Sequence, residues 1–584
     1  MKKTPTQQIQ TSLPDLVDLR VDPSRLAELK RLANDLPEVI LDPGRLCDFE
    51  LLTTGVYSPL TGFLTQVDYE AVLDRMTLAS GEIWPLPICL DIDATLAGGL
   101  EMGQSVALRD AEGFCLGMME VEDLWPVDAE KEALAVYGSL NAEHPGVAEL
   151  LARDGRYYLG GRIQAFSLPI HSDFIQHRNT PAEVRQQIAK LGWKRVVGYQ
   201  TRQPLHRLQF EKTIQAMRQA KANLLFLPQV GLTQAGNFDH FTRMRCYQQV
   251  AGQYPPQTFL MNLLPQAVRL AGPREAVLHM RVGRNYGCTH FIINHNHACP
   301  GRDSQGEFFF PHGRAKELTE VASQGLGIEP IAFGEMVYLP QEDEFRSLDA
   351  VPGGSQTLSV SDEEIQNRVR RGKPVPEWAT FPGVISELKK SYPSPENQGL
   401  TVFLTGLSGA GKSTIARVLY SRFLEVGTRP VTLLDGDIVR RNLSSELNFS
   451  KEHRDINVRR IGFVATEITK NRGIAICAPI APYERTRRQI REAIEAHGGF
   501  FEVHVSTPIT ECEKRDRKGM YAKARAGLLK DFTGVNDPYE APENPEIRID
   551  TTDLTPDEAV QEILLLLSQQ GFLGGSGKGG IHEA

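Results

Sequence analysis

Residues 401–413 read TVFLTGLSGAGKS: an apolar run that predicts a strand, a glycine-rich turn, and a Lys-Ser pair that opens a helix. From Gly406 to Ser413 the stretch fits G-x-x-x-x-G-K-[ST] without a mismatch, in the strand-to-helix setting this phosphate loop needs. Gly406, Leu407, Ser408, Gly409, Ala410 and Gly411 can curl their backbone N–H groups around a polyphosphate, and the helix N-terminus adds a favourable field. Lys412 can reach the β- and γ-phosphates, and the Ser413 hydroxyl can hold Mg²⁺. The competing reading is a glycine-rich turn that merely precedes a helix; the complete match in the right context argues against it. We expect a nucleoside triphosphate site.

Working outward, VTLLD (431–435), a helix near 456–471, GIAICAP (473–479) and FFEVHV (500–505) continue an alternation of strand and helix. That alternation predicts a parallel sheet covered on both faces. The helix from Lys412 carries Ile415, Val418, Leu419, Phe423 and Val426 at helical spacing. KRVVGY (194–199), NLLFLP (223–228) and THFIIN (289–294) predict a second α/β block between about 170 and 330. The first 165 or so residues, short segments broken by Gly and Pro, predict a β-rich domain. LKKSYPSPENQG (388–399) predicts an exposed linker, and GFLGGSGKGGIHEA (571–584) a mobile tail.

The 584 residues hold 64 Lys+Arg against 73 Asp+Glu, a net charge of −9, with 41% hydrophobic and 23% charged residues. This composition excludes a wholly disordered chain, a collagen-like repeat and a coiled-coil rod. Its mild acidity argues against unspecific nucleic-acid binding, which needs clustered Lys and Arg. No run approaches the ~18 apolar residues of a membrane span. The opening MKKTPTQQIQTSLPDL lacks the apolar core of a secretory signal. None of the eight cysteines forms a C-x-x-C pair, so reduced thiols and a cytoplasmic protein without nucleic-acid or membrane partners are expected.

The strand after the phosphate loop ends in Leu434-Asp435-Gly436-Asp437, setting two carboxylates at the carboxyl edge of the sheet, where ligands sit in open α/β folds. One can help hold Mg²⁺; the other can orient and deprotonate an attacking hydroxyl. A plain Asp-Gly-Asp surface turn is the alternative. Arg440, Phe449, Arg454 and Asn457 mix cations, a ring and an amide suited to an anionic aromatic ligand. By composition alone they fit solvated helix charges and one core ring equally well. Lys518-Gly519-Met520-Tyr521, Lys523-Ala524-Arg525 and Lys530-Asp531-Phe532-Thr533-Gly534 form a basic, glycine-punctuated run of the kind that makes a lid.

GLSGAGKST, LDGDIVR, LNFSKEHRDINVRR and CEKRDRKGMYAKARAGLLKDFTGVNDPYEAP are together similar to adenylyl-sulfate kinase over about 398–570. That enzyme phosphorylates the 3′-hydroxyl of adenosine 5′-phosphosulfate (APS) to give 3′-phospho-APS (PAPS). The resemblance implies that Gly406 to Thr414 and Arg515 hold ATP with Mg²⁺. It also implies that Phe449 and Phe532 sandwich the APS adenine, while Arg440, Arg454, Asn457, Ile480, Ala481 and Lys518 complete the APS site. Asp437 would be the base or orienting group, Asp435 would lie nearer the metal, and Lys412 would act on the transferred phosphate. The chain departs from the family's D-G-D-N at Ile438, and from its Ser-Pro at Ala481-Pro482, where no phosphoserine can form.

Upstream, Gln200-Thr201-Arg202-Gln203-Pro204-Leu205-His206-Arg207 occupies another strand-to-helix corner, where an anion or a simple capped helix start both fit. SPLTGF (58–63), GNFDHFTRMR (236–245), AGPREA (271–276), RNYGCTHFI (284–292) and PEWATFP (376–382) resemble ATP sulfurylase (sulfate adenylyltransferase) over roughly 30–390. The implied order is an α/β multidomain chain: a PUA-like β-rich domain (1–168), a Rossmann-like nucleotidyltransferase domain (169–330), a small α/β domain (331–390), a linker (391–399), a P-loop kinase domain (400–572) and a tail (573–584). The family's Q-T-R-N-P-x-H-R-A-H keeps Gln200, Thr201, Arg202 and His206 here, but Gln209 replaces its last histidine. Its G-R-D-H-A-G becomes Asn294-His295-Asn296-His297-Ala298-Cys299, so a permanent guanidinium is exchanged for His295 and a glycine for Cys299. Losing one preorganised donor removes about 2.7–4 kcal/mol of transition-state stabilisation, so the expectation is an APS kinase fused to an inactive sulfurylase-like region. The alternative is a fully bifunctional enzyme of sulfate assimilation, with His290, Arg269 or Arg281 compensating. A third reading is a non-catalytic nucleotide-binding or assembly protein. The His295/His297 spacing is unlike the helical H-x-x-x-H zinc pattern, and the family implies a homo-oligomer, hexamer or dimer.

Overall fold

Two units make up the chain: Met1–Asp362 with Pro376–Glu387, and Glu363–Val375 with Leu388–Ala584. The computed structural model describes residues 13–153, 155–231, 238–448, 450–516, 519–529 and 531–573; of Asp437 it describes the backbone alone.

In the second unit the segment Leu400–Thr405 is buried along its whole length, at the centre of a five-stranded parallel sheet. The strand order is Val431–Asp435, Ile474–Ala478, Leu400–Thr405, Gly499–Val505, Ile547–Ile549. Strands buried on both faces need nearly continuous apolar sequence, which these have. The strand's alternating side chains divide between two cores. Val402 and Leu404 pack with Ile415, Leu419 and Phe423 of helix Lys412–Val426, and with Ile563 and Leu567 of helix Pro556–Gln569. Phe403 packs on the other face with Val458, Ile461 and Ala465 of helix Lys451–Lys470, and with Ile490 and Ile494 of helix Glu484–Glu495.

The first unit holds two larger sheets. A seven-stranded mixed sheet runs Glu38–Ile40, Ser105–Arg109, Cys115–Glu120, Tyr157–Ala165, Gly62–Phe63, with Leu90–Ile92 and Asp123–Pro126 also paired to the long strand Tyr157–Ala165. A five-stranded parallel sheet follows, in the order Phe259–Met261, Asn223–Pro228, Val196–Thr201, His290–Ile293, Glu329–Ala332. An antiparallel hairpin, Met336–Leu339 with Glu344–Ser347, comes next in sequence.

Two expectations need adjustment. The β-rich opening region also carries helices Pro23–Ala33, Pro43–Thr53 and Pro145–Leu151, whose prolines stand at the first helical positions behind Asp22, Asp42 and His144 caps. A proline there gives up an N–H that has no helical partner anyway. The segment 388–399 is not an exposed linker throughout. Residues to Ser391 end the helix Pro382–Ser391, Leu388 is fully buried, and the Gln398 amide donates to the Pro393 carbonyl at 2.8 Å. All eight cysteines are free thiols, five of them buried. Among the described residues no helix is long and apolar enough to cross a membrane. Residues 574–584 of the expected tail lie outside the described residues.

The helices Lys451–Lys470 and Glu484–Glu495 meet at Gly462, where a Cβ would stand 2.5 Å from Ile490 Cγ1. Gly462→Ala will therefore destabilise the second unit by about 1–3 kcal/mol. In denaturant titration, Gly462→Ala combined with Ile490→Ala will cost less than the two single changes added, because alanine lacks the Cγ1, Cδ1 and Cγ2 atoms that crowd the new Cβ.

Candidate functional site

The chain turns out of the buried strand Leu400–Thr405 at Gly406 (φ +148°), where a Cβ would lie 2.4 Å from the Val505 carbonyl oxygen. Gly409 (φ +79°) and Gly411 (φ +107°) are also in the region that favours glycine, and helix Lys412–Val426 starts directly after them. Lys412 is buried, and its ammonium donates to the Gly406 carbonyl at 2.8 Å and the Leu407 carbonyl at 2.7 Å. Ser413 is half-buried on the first turn and Thr414 exposed.

The loop is braced by Thr507 and Thr551, which sequence reasoning passed over, and by Arg515, which it named. Thr507 and Thr551 hydroxyls both donate to the Ala410 carbonyl, at 3.1 and 2.9 Å. Arg515 is brought to the same place by donating to Thr551 Oγ1 and to the Thr551 carbonyl, each at 2.7 Å. Thr405 Oγ1 donates to the Ile480 carbonyl at 2.7 Å and lies 3.0 Å from the Tyr539 hydroxyl. Ala481 adopts φ +47°, and its carbonyl is held at 2.8 Å by Arg487, a guanidinium 1% exposed that also pairs with Glu502 at 2.8 Å. A groove of about 590 Å³ opens beside the loop, lined by Leu407, Ile509 and the turn Asn536–Tyr539.

Asp435 is buried at the carboxyl end of Val431–Asp435, in register with Ala478, and helix Gly436–Asn442 starts at the next residue. Asp437 sits in that helix's first turn; its side chain, like Phe449 and Lys518 as whole residues, lies outside the described residues. Arg440 is half-buried and donates to the Asn448 carbonyl at 3.1 Å. Arg454 is buried and committed to protein partners: Thr533 Oγ1 at 2.6 Å and Asp537 at 2.9 Å. Asn457, one turn on, is buried with its side-chain oxygen lacking a hydrogen-bond partner among the described residues. Phe532 is half-buried, edge-on to Tyr521 at 5.1 Å between centroids.

In the first unit the residues singled out also gather at strand ends. Gln200, buried at the end of Val196–Thr201, donates to Gln266, and Thr201 Oγ1 accepts the Gln203 N–H at 3.1 Å. Arg202 is half-buried, and burial lowers its pKa. His206, 1% exposed, pairs through Nδ1 with Thr380 Oγ1 at 2.8 Å, while Gln209 donates to Asp362 at 3.0 Å. His295 stacks on His312 with centroids 4.6 Å apart. Ala298 has φ +50°, and the Cys299 thiol lies 3.5 Å from the Gly301 carbonyl.

His297 is buried in a chain of partners. Its Nδ1 accepts the Asn294 N–H at 3.4 Å, which leaves Nε2–H to face His279 Nδ1 at 2.8 Å; His279 Nε2 then lies 3.4 Å from Glu275 Oε1. Burial, reinforced by His279, pushes the His297 pKa down to about 3. Glu275 and His279 stand four apart on helix Gly272–Asn285 and so share one face, a spacing that could have flagged them. The cations considered as compensators are engaged elsewhere: Arg269 with Asp48 at 2.6 Å, Arg281 with the Ser58 carbonyl at 3.1 Å, and His290 with Glu329 at 3.4 Å.

Comparison with known proteins matches residues 9–168 to the PUA-like domain, 175–391 to ATP-sulfurylase and 398–550 to adenylylsulphate kinase. The chain is 45% identical to a sulfate adenylyltransferase of Aspergillus oryzae, over 94% of this chain and 96% of the relative. It is 44% identical to a sulfate adenylyltransferase of Mycosarcoma maydis, over 96% and 98%. Among solved structures it is similar to a hexameric APS kinase from Thiobacillus denitrificans: 41% identity, TM-score 0.79, 96% of this chain and 98% of that one.

The buried histidine gives a pH test. With its pKa depressed from 6.5 to about 3, His297 binds a proton in the unfolded chain before the folded one. Stability is therefore complete above pH 6.5 and is lost as pH falls toward 3. His297→Asn will flatten the fall in denaturant stability of the first unit between pH 7 and 5. It will not abolish that fall, because burial also depresses His144, His177 and His206.

Proposed function

This chain belongs to the sulfate adenylyltransferase family and carries an adenylylsulphate kinase domain, and from that premise we propose that it makes APS from ATP and sulfate and then phosphorylates APS to PAPS. The observation that carries the kinase half is the loop Gly406–Ser413, turned out of a buried strand with Lys412 at its mouth. In this reading the loop N–H groups and Lys412 hold the ATP phosphates, and Arg515 steadies the nucleotide through its anchor on Thr551. The buried Asn457 amide, Phe532 and Arg440 face the APS side, and Arg454 shapes that side through Thr533 and Asp537. Asp437 orients the 3′-hydroxyl and takes its proton as the γ-phosphoryl group transfers. The Ser413 hydroxyl and Asp435 carboxylate are hard oxygen donors that fit Mg²⁺ carried with ATP. When bound, that ion neutralises phosphate charge. The Thiobacillus relative's hexameric state supports a homo-oligomeric assembly for this chain.

The relatives' name supports sulfate adenylylation by the first unit. A second reading, loss of that activity, is favoured by one set of observations. Gln209 binds Asp362, His295 stacks on His312, and Arg269, Arg281 and His290 already have partners. A relative with a solved structure, similar over 96% of this chain and 98% of its own, is described as an APS kinase.

One protein tests both halves. Lys412→Ala will lower APS-dependent ADP release at least about 10²–10³-fold, as expected for loss of a preorganised donor to transferring phosphate. Asp437→Ala will do the same, and wild-type turnover in either variant overturns the kinase assignment. The same Lys412→Ala chain, given ATP, sulfate, Mg²⁺ and pyrophosphatase, will accumulate APS. No APS would overturn the bifunctional reading in favour of the second.

A further inference from the structure

We propose that Tyr521 is a positioning residue that sets the phosphate loop and couples the nucleotide to the APS side of the site; this rests on the kinase reading above and deepens it. Tyr521 lies on the short helix Met520–Arg525 and is only 3% exposed. Its hydroxyl donates to the Ser408 carbonyl at 2.8 Å. In a trans peptide the C=O and the following N–H point in opposite directions. Tying the Ser408 carbonyl toward Tyr521 therefore aims the Gly409 N–H away from it, to the face of the loop left for phosphate. The loop's glycines leave its peptide planes easy to flip, so one bond to a buried, rigid ring removes a freedom that phosphate binding would otherwise have to freeze.

The same ring meets the other substrate's side. Tyr521 stands edge-on to Phe532, centroids 5.1 Å apart and planes at 84°. Beside it, Leu407 packs on Gly534, where a Cβ would come within 2.8 Å of Leu407 Cδ2. The turn so contacted is anchored by Arg454 through Thr533 and Asp537. Two neighbouring loop residues, Leu407 and Ser408, thus rest on one turn, directly or through Tyr521. A ligand that orders Phe532 also orders Tyr521 and, through its hydroxyl, the loop. By linkage a bound nucleotide returns the same effect to APS.

Calorimetric titration of the full chain with ADP, which has no γ-phosphate to transfer, tests this with and without APS. In the wild type APS tightens ADP binding at least about fivefold. Tyr521→Phe keeps the ring and loses the hydroxyl; it will weaken ADP binding alone by about five- to tenfold, the worth of one hydrogen bond. APS will then change ADP affinity by less than about twofold. In turnover the KM for ATP will rise more than kcat falls, a split that a general loss of structure does not give. Wild-type ADP affinity in Tyr521→Phe, coupling that survives the change, or no coupling in the wild type would each overturn the proposal. Failure of the wild type to phosphorylate APS while still binding ADP would fall on the kinase reading instead, because the ADP titration reads the loop without APS.

Discussion

The second unit depends on the carboxyl end of one strand. Leu400–Thr405 is hydrogen-bonded to neighbours on both sides and buried on both faces, so its direction cannot change. The next residue must leave the sheet where the Val505 carbonyl crowds any side chain, and only glycine fits. The loop's shape follows from this exit and from Ala410, whose carbonyl accepts two threonine hydroxyls. Those hydroxyls come from Thr507 and Thr551, just beyond strands Gly499–Val505 and Ile547–Ile549. The sheet therefore supports the loop from its floor, and the rigidity that preorganises N–H donors is the rigidity of the core.

Both units use the same economy. In each parallel sheet, polar residues singled out at the sites stand where strands end: Thr405 and Asp435 in one, Thr201 and Asn294 in the other. Strand interiors are spent on burial, and chemistry is confined to the carboxyl edge. Residues there can change without disturbing the ladder. In the loop 294–299 the Asn294 N–H donates to His297 and the Cys299 thiol lies against the Gly301 carbonyl, so the loop finds its partners locally.

What was legible followed from period and punctuation. The strands at 431–435 and 223–228 lie where their apolar runs end, and helix Lys412–Val426 starts at the lysine of the motif. Prolines misled in the opening region: Pro23, Pro43 and Pro145 look like breaks, yet each follows a cap and starts a helix. The 388–399 segment misled in the other direction, because its polar residues hide Leu388, the last buried anchor of a helix. At the site, residue types marked the loop and the carboxylates. They could not reveal that Arg454 is held by Asp537, more than eighty residues along the chain, or that His297 is held by His279. Such partnerships are set by which strand ends and helices the fold makes adjacent.

The fate of the first unit's chemistry turns on whether a buried cation can be reassigned. Arg269 Nη2 donates to both oxygens of Asp48, a carboxylate with no exposure. Moving that guanidinium toward a ligand would leave the buried Asp48 with Arg45 alone, 3.7 Å away, a loss bounded above by the about 3–5 kcal/mol that removing one partner of a buried pair costs. A new contact to an anionic ligand offsets that only if it is at least as well desolvated. Arg281 is less bound, since its Glu82 partner is 3.8 Å away and half exposed, but its Nε donates to the Ser58 carbonyl, which also accepts from Asn285. The frame thus keeps its charges for itself. A pocket that has a histidine stacked on a second histidine, where the resemblance leads one to expect a guanidinium, must work with what its own loop supplies.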